Sequence, residues 1–544
     1  MKVLRADLHA DGPGLLKVDL RRGKETGATY LMNGRPRQTS HTTLVAGRTD
    51  DFKVLSLAKE WLNKCIHEHD QCSRRSHPTA AWHLPTRLVK VSGFMTSVFS
   101  MKLCLGKDLP AGTKYLTLSH CWGGVDILKL TTDNLQSFQS NIPLENMPRN
   151  FRNAAAVTLF MGYEYVWIDS LCIIQGSVQD WDHEAALMGN VYRYGVLNIA
   201  AVAATNPHDG IFVDRNSHSF TKCQLIPTIR GRGGVYAENW RDRAGKEILN
   251  SRGWVCQEMA LSPRTLYFGS MMLGWKCTMA SAQETDADFS TWSQKPGIKR
   301  DFYELLDQAK SGAYDSWFGK WWKIISDYTK CNLTFDSDRW PAIMGLATAV
   351  EQQSGDKLIH GLWASHLASE LMWRASNPSK GKLLDNGCPS WSWLSLTSPV
   401  SKMGYNLNGY FDMSAAVSLQ THPPDDKRLF IRGRMAKIRW TVKYHGDGEI
   451  EHCYRFQAPT RDANGNWDGR WNPDTVPNEA WDMWCLEFIT DAKLKEAAGL
   501  VVRREEKDTG DVWVRVGTYS LQPYASRGDD PAWDVLKMNT ITLE

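Results

Sequence analysis

Tyr115-Leu116-Thr117-Leu118-Ser119-His120-Cys121-Trp122-Gly123-Gly124 is the stretch whose reading decides the fold. Its apolar start predicts a short strand, and the two glycines break the chain immediately afterwards. Ser119, His120 and Cys121 therefore fall at a strand tip. Working outward, residues 147–161 carry Ala154, Ala155, Leu159 and Met161 at helical spacing, and Gly162 ends that helix. Residues 165–168 form the next strand, 181–194 a second helix and 196–202 a third strand. Strand, helix, strand, helix, strand predicts βαβ units around a mainly parallel sheet, an α/β fold. Ser119 and Asp169 then lie at the C-terminal tips of neighbouring strands, the edge where open α/β sheets place their sites.

Composition bounds the rest. With 544 residues the chain predicts more than one domain; 42% hydrophobic and 23% charged residues describe a globular protein. The net charge of +4 is mild, and the basic residues form no arm or stripe, so nucleic acid is not an expected partner. No uninterrupted apolar stretch reaches membrane-spanning length and the first residues lack a signal-peptide core, so a membrane is not expected either. Twelve cysteines without a dense framework read as reduced thiols, which predicts a cytoplasmic protein. A small-molecule substrate and a protein partner both remain open.

Three more blocks accompany the first. They are Trp167-Ile168-Asp169-Ser170-Leu171-Cys172-Ile173-Ile174-Gln175, Asp180-Trp181-Asp182-His183-Glu184, and Arg252-Gly253-Trp254-Val255-Cys256-Gln257-Glu258. In this order the four blocks resemble the fungal heterokaryon-incompatibility (HET) domain family. The resemblance implies a HET domain over 87–280, after an irregular and helical lead-in over 1–86. A helical region over 281–384 and a β-rich C-terminal region over 385–544 would follow, making an α+β second half. It further implies a TIR-like sheet and a role in self/non-self or stress-triggered cell death. By the same likeness the domain would hydrolyse NAD or a related nucleotide, with NAD as substrate rather than cofactor. Glu184 would stabilise charge and Asp169 would position the ribose. No gating extension is evident, which favours the alternative of a stand-alone enzyme of secondary metabolism; a non-catalytic interaction module is the third reading.

Each candidate residue carries a structural reading beside the chemical one. Ser119, His120, Cys121, Asp169 and Glu184 form the candidate catalytic set; Trp122, Arg252, Trp254, Gln257 and Glu258 would line the substrate. Cys121 is a candidate nucleophile, with His183 as a distant base, because His120 as its neighbour points to the other face. Asp180 is expected to cap the second helix. Cys65, His69 and Cys72 share one face of a helix predicted from Leu55 to Cys72. Three ligands without a fourth read as core packing, so no metal site is assigned. Trp391-Ser392-Trp393 is read as interdomain packing, the segment from Leu362 to Trp373 as helical, and Asp462 to Asn466 as a turn.

Overall fold

The run Leu116-Thr117-Leu118-Ser119 is fully buried, which is what a strand covered on both faces requires. Around it the computed structural model, which describes residues 5–10, 15–22, 25–32, 46–75, 84–94, 97–215, 223–226, 235–238, 248–284, 286–291, 297–312, 314–402, 418–421, 427–443, 453–459, 466–477, 481–491, 496–507, 510–521 and 538–544, builds the first of two compact units. The units are Met1–Arg300 and Asp301–Glu544.

In the first unit the chain opens with β1 (Arg5–Ala10), β2 (Leu15–Arg22) and β3 (Glu25–Met32). They pair as antiparallel neighbours, where the sequence reads as irregular. Helices α1 (Phe52–Glu68) and α2 (Asp70–Arg75) follow, and then the hairpin β4 (Arg87–Phe94) and β5 (Ser97–Leu105). Next come β6 (Leu116–Ser119), α3 (Leu135–Ser140), α4 (Arg149–Met161), β7 (Tyr165–Trp167), α5 (Asp169–Cys172), α6 (Val178–Tyr194) and β8 (Leu197–Ala200). Strands β9 (Cys223–Ile226) and β10 (Val235–Glu238) join β3 in a five-stranded sheet. Helix α7 (Gly253–Leu261) and strands β11 (Arg264–Phe268), β12 (Leu273–Cys277), β13 (Ala280–Gln283) and β14 (Asp286–Thr291) complete the unit.

The main sheet has the order β14-β13-β12-β11-β8-β6-β7-β4-β5. Pairs β11/β8, β8/β6 and β6/β7 are parallel, with Leu116 opposite Leu197 and Val166. The outer pairs are antiparallel, so the expected mainly parallel sheet is corrected to a mixed one: a four-stranded parallel core between two antiparallel flanks. The short chain reversals 269–272 and 278–279 are the physical reason, since a parallel return needs a long crossover. Gly162 closes α4 in the left-handed region at φ 93°, as its sequence position predicts. The single helix expected from Leu55 to Cys72 is instead broken at His69, which leaves the helical region with ψ 84°.

The second unit holds the helices Tyr314–Tyr328 and Pro341–Ser354 and a nine-stranded sheet that includes Leu429–Lys437 and Gly510–Leu521. The helix expected between Leu362 and Trp373 is corrected to a strand pair, Leu358–Ile359 with Leu362–Trp363, and a short helix, Leu367–Glu370. His360 at φ 46° and Gly361 at φ 85° make the turn, a conformation that interrupts any helix. Trp391 and Trp393 pack inside this unit rather than between domains. Their indole N–H groups donate to Lys427 O and Gly361 O, at 3.0 and 2.9 Å. The turn expected over Asp462 to Asn466 lies, apart from Asn466, outside the described residues. No helix among the described residues is long and apolar enough to cross a membrane.

Candidate functional site

Alternation along β6 divides the strand-tip residues between two sides. Thr117 and Ser119 meet Asn198 of β8: Thr117 Oγ1 donates to Asn198 Oδ1 at 3.0 Å, and Asn198 Nδ2 donates to Ser119 Oγ at 2.9 Å. Asn198 also reaches Met259 of α7. Cys121 lies on that side too, in an apolar cluster with Ala200, Val202, Leu249, Val255 and Met259. Burial there raises its thiol pKa, which disfavours the thiolate a nucleophile needs. His183, its expected base, is exposed on α6.

His120 takes the other side. Its ring packs edge-on against Phe151 of α4 at 5.1 Å, and Nδ1 lies 3.7 Å from Asp169 Oδ1. Neither ring nitrogen makes a hydrogen bond. Burial lowers its pKa, with Asp169 opposing the effect, so a neutral imidazole is favoured. Asp169 also accepts from its own turn, Ser170 N at 2.7 Å, and from Trp122 Nε1 at 2.8 Å. Its carboxylate keeps 22% exposure, while Ser119 and His120 are buried.

Helix α7 adds the third side. Arg252 precedes its first turn and donates through Nη1 to His120 O. Nearly two turns on, Glu258 is buried with Oε2 unpartnered. Burial pushes its carboxyl from 4.5 up to about 7, against the opposing pull of Arg252 and the Ser119 hydroxyl. The Tyr192 hydroxyl faces the same carboxyl and donates to Leu118 O at 3.2 Å. Gln257 is buried beside it, whereas Trp254 is partly open and meets Trp181 edge-on at 6.3 Å.

Ser119, His120, Trp122, Asp169, Arg252 and Glu258 thus converge, as the sequence implies. Glu184 has different neighbours. It is buried, faces Arg87 Nη1 at 3.6 Å, and burial raises its pKa. Arg87 also binds Asp180 Oδ2 at 3.0 Å and Cys172 O at 2.7 Å. Asp180 is therefore an ion-pair partner, and the cap of α6 is Ser177, whose Oγ accepts from Asp180 N at 3.2 Å. A cleft of about 680 Å³ lies along Thr86, Arg87, Lys107, Tyr115 and Tyr194, and none of the convergent residues lines it. Sequence reading missed Asn198 and Tyr192; the signal for Asn198 is its place as the one polar residue in 196–202.

The turn after the strand tip is sterically set. Gly123 has φ +67°, and a Cβ there would sit 2.4 Å from Asn206 Cβ and 2.9 Å from its Cα. Gly124 has φ +66° but faces open space. Gly123→Ala is expected to cost about 2–3 kcal/mol and Gly124→Ala only about 1 kcal/mol, since the first adds overpacking to backbone strain. Thermal unfolding of the two variants checks this; equal losses would mean that crowding by Asn206 adds nothing to the strain.

Residues 115–258 match the family model described as Heterokaryon incompatibility protein (HET). The chain carries a HET domain. The matched segment begins at β6 and ends at Glu258, so it spans the whole convergent cluster. No curated protein and no solved structure matches the chain.

Proposed function

We propose that the strand-tip cluster of this HET domain is an acid–base centre that hydrolyses the nicotinamide–ribose bond of NAD or a related nucleotide. On this reading the protein is an intracellular fungal heterokaryon-incompatibility protein that signals self/non-self or stress by consuming that nucleotide. The observation that carries the reading is Glu258, a buried carboxyl poised near pH 7 between Ser119 and Arg252. A carboxyl with such a pKa can stabilise an oxocarbenium-like state or exchange a proton at working pH. Asp169 and Trp122, the more open members, suit the ribose and the flat ring of the base. The TIR-like analogy asks for a carboxylate on a helix that precedes a strand ending in small residues. Glu184, before β8 and Ala200-Ala201, meets it, whereas Glu258 precedes β11, which ends in Tyr267-Phe268. Glu258 takes the charge-stabilising role because it shares the cluster with Asp169, whereas Glu184 faces Arg87 outside it.

The test is incubation of the purified chain with NAD, with nicotinamide read by chromatography. Wild type should release it, Glu258→Gln should lower the rate about 10²–10⁴-fold, and Glu184→Gln should lower it less. Release that survives Glu258→Gln would strip Glu258 of the charge-stabilising role. No release at high protein concentration would favour the non-catalytic reading, in which the domain binds a protein partner. The burial of Ser119, His120 and Glu258 is the observation on that side.

A further inference from the structure

The structure assigns a structural zinc site to Cys65, His69, Cys72 and Cys277. Among the described residues these four ligand atoms, three sulfurs and one imidazole nitrogen, all lie within 4.8 Å of one another. The three cysteines are fully buried. A tetrahedron with zinc–sulfur bonds of about 2.3 Å has edges of about 3.7 Å, so closure needs a contraction of about 1 Å at most. Cys277 Sγ already stands 3.4 Å from His69 Nδ1.

Local structure explains how the ligands meet. Cys65 continues the buried face of α1 after Trp61 and Leu62. The backbone then leaves the helix at His69, whose N–H bonds to Cys65 O, and α2 turns Cys72 back towards the same point. The fourth ligand ends β12, on the antiparallel flank of the sheet.

The surroundings of the sulfurs point to a metal independently of their proximity. Arg264 Nε donates to Cys65 Sγ at 3.2 Å, and Ala280 N donates to Cys277 Sγ at 3.2 Å across the turn Cys277-Thr278-Met279-Ala280. Thiolates bound to zinc recruit such N–H donors as their outer shell. Three thiolates and a divalent cation leave one negative charge, and the buried Arg264 guanidinium supplies the matching positive one. Four protein ligands fill the coordination shell, so the site clamps α1 and α2 to β12 and leaves no position for a reacting water. It contains none of the strand-tip cluster.

Metal analysis of the full chain, purified under reducing conditions without chelator, tests the assignment. About one zinc per chain is expected. Chelation followed by cobalt addition should give sulfur-to-cobalt charge-transfer absorption and the intense visible bands of a tetrahedral thiolate site. Cys72→Ser and His69→Ala should lower zinc affinity at least about tenfold, whereas His69→Cys keeps a four-ligand shell and should retain the metal. Should the serine variant not fold, the wild-type cobalt spectrum and His69→Cys still decide the matter. A reduced chain that carries no zinc and shows no cobalt bands would overturn the site, as would a disulfide between two of the three cysteines found by thiol labelling and mass spectrometry.

Discussion

Glu258→Gln should raise the stability of the protein above pH 7 while removing its proposed activity. The glutamate carboxyl is held near 7 by burial, against an ordinary value of 4.5. The folded chain therefore binds this proton more tightly than the unfolded chain does. Its contribution to stability is complete below about pH 4.5 and is lost as pH rises through about 7, where an anion must be kept among Ser119, Tyr192 and the cluster around Asp169. The full difference corresponds to about 3 kcal/mol. Glutamine has nearly the same shape and no charge, so the variant should gain on wild type by about that amount between about pH 5 and about pH 8. Calorimetric melting of both proteins across that range measures it. Parallel pH profiles would mean that the carboxyl ionises in the folded state as freely as in water. A gain in stability paired with loss of turnover is the expected mark of a group kept for chemistry rather than for packing.

Glu284→Ala should be among the most damaging single changes outside the cluster. Glu284 closes a bidentate pair with Arg215, at 2.6 Å for each oxygen, with side chains 2% and 3% exposed. The guanidinium also donates to Ala46 O at 2.9 Å and Met271 O at 3.1 Å, so it fastens the segment before α1 to the β12 edge. Removing the carboxylate leaves a buried cation without its counter-charge, a loss of about 3–5 kcal/mol. The double variant Arg215→Met with Glu284→Leu removes both charges and should recover most of that loss. Thermal unfolding of the single and double variants separates the cases. A double variant as weak as the single one would show that the packing around the pair, not the stranded charge, sets the cost.

The parallel core was legible because its signals are local. Apolar runs, the helical face of 147–161 and the break at Gly162 can be read one window at a time, and β6, β7 and β8 form where they predict. The cluster was legible in part. Ser119, Asp169 and Glu258 stand in recognisable blocks, but their partners depend on register: Asn198 faces Thr117 only because β6 and β8 pair as they do. The reading of Glu184 rests on its place before a strand, and its window does not show Arg87, 97 residues earlier, as a neighbour. Cys277 lies 208 residues after His69, so no spacing rule joins it to the three ligands on the first helices. The antiparallel flanks were hidden because their reversals, Gly269-Ser270-Met271-Met272 and Thr278-Met279, carry no Asn-Gly or Asp-Gly pair to mark a hairpin.

The order of the main sheet has a consequence for where this domain begins and ends. The family segment 115–258 contains β6, β7 and β8, but the strands that cover them, β4 beside β7 and β11 beside β8, lie outside it on either side. A chain cut to that segment would keep only three short strands of this sheet, with two open backbone edges, each offering unpaired N–H and C=O groups to any neighbour. The sheet is complete only with its borders, from β4 to β14, and the HET segment supplies its interior.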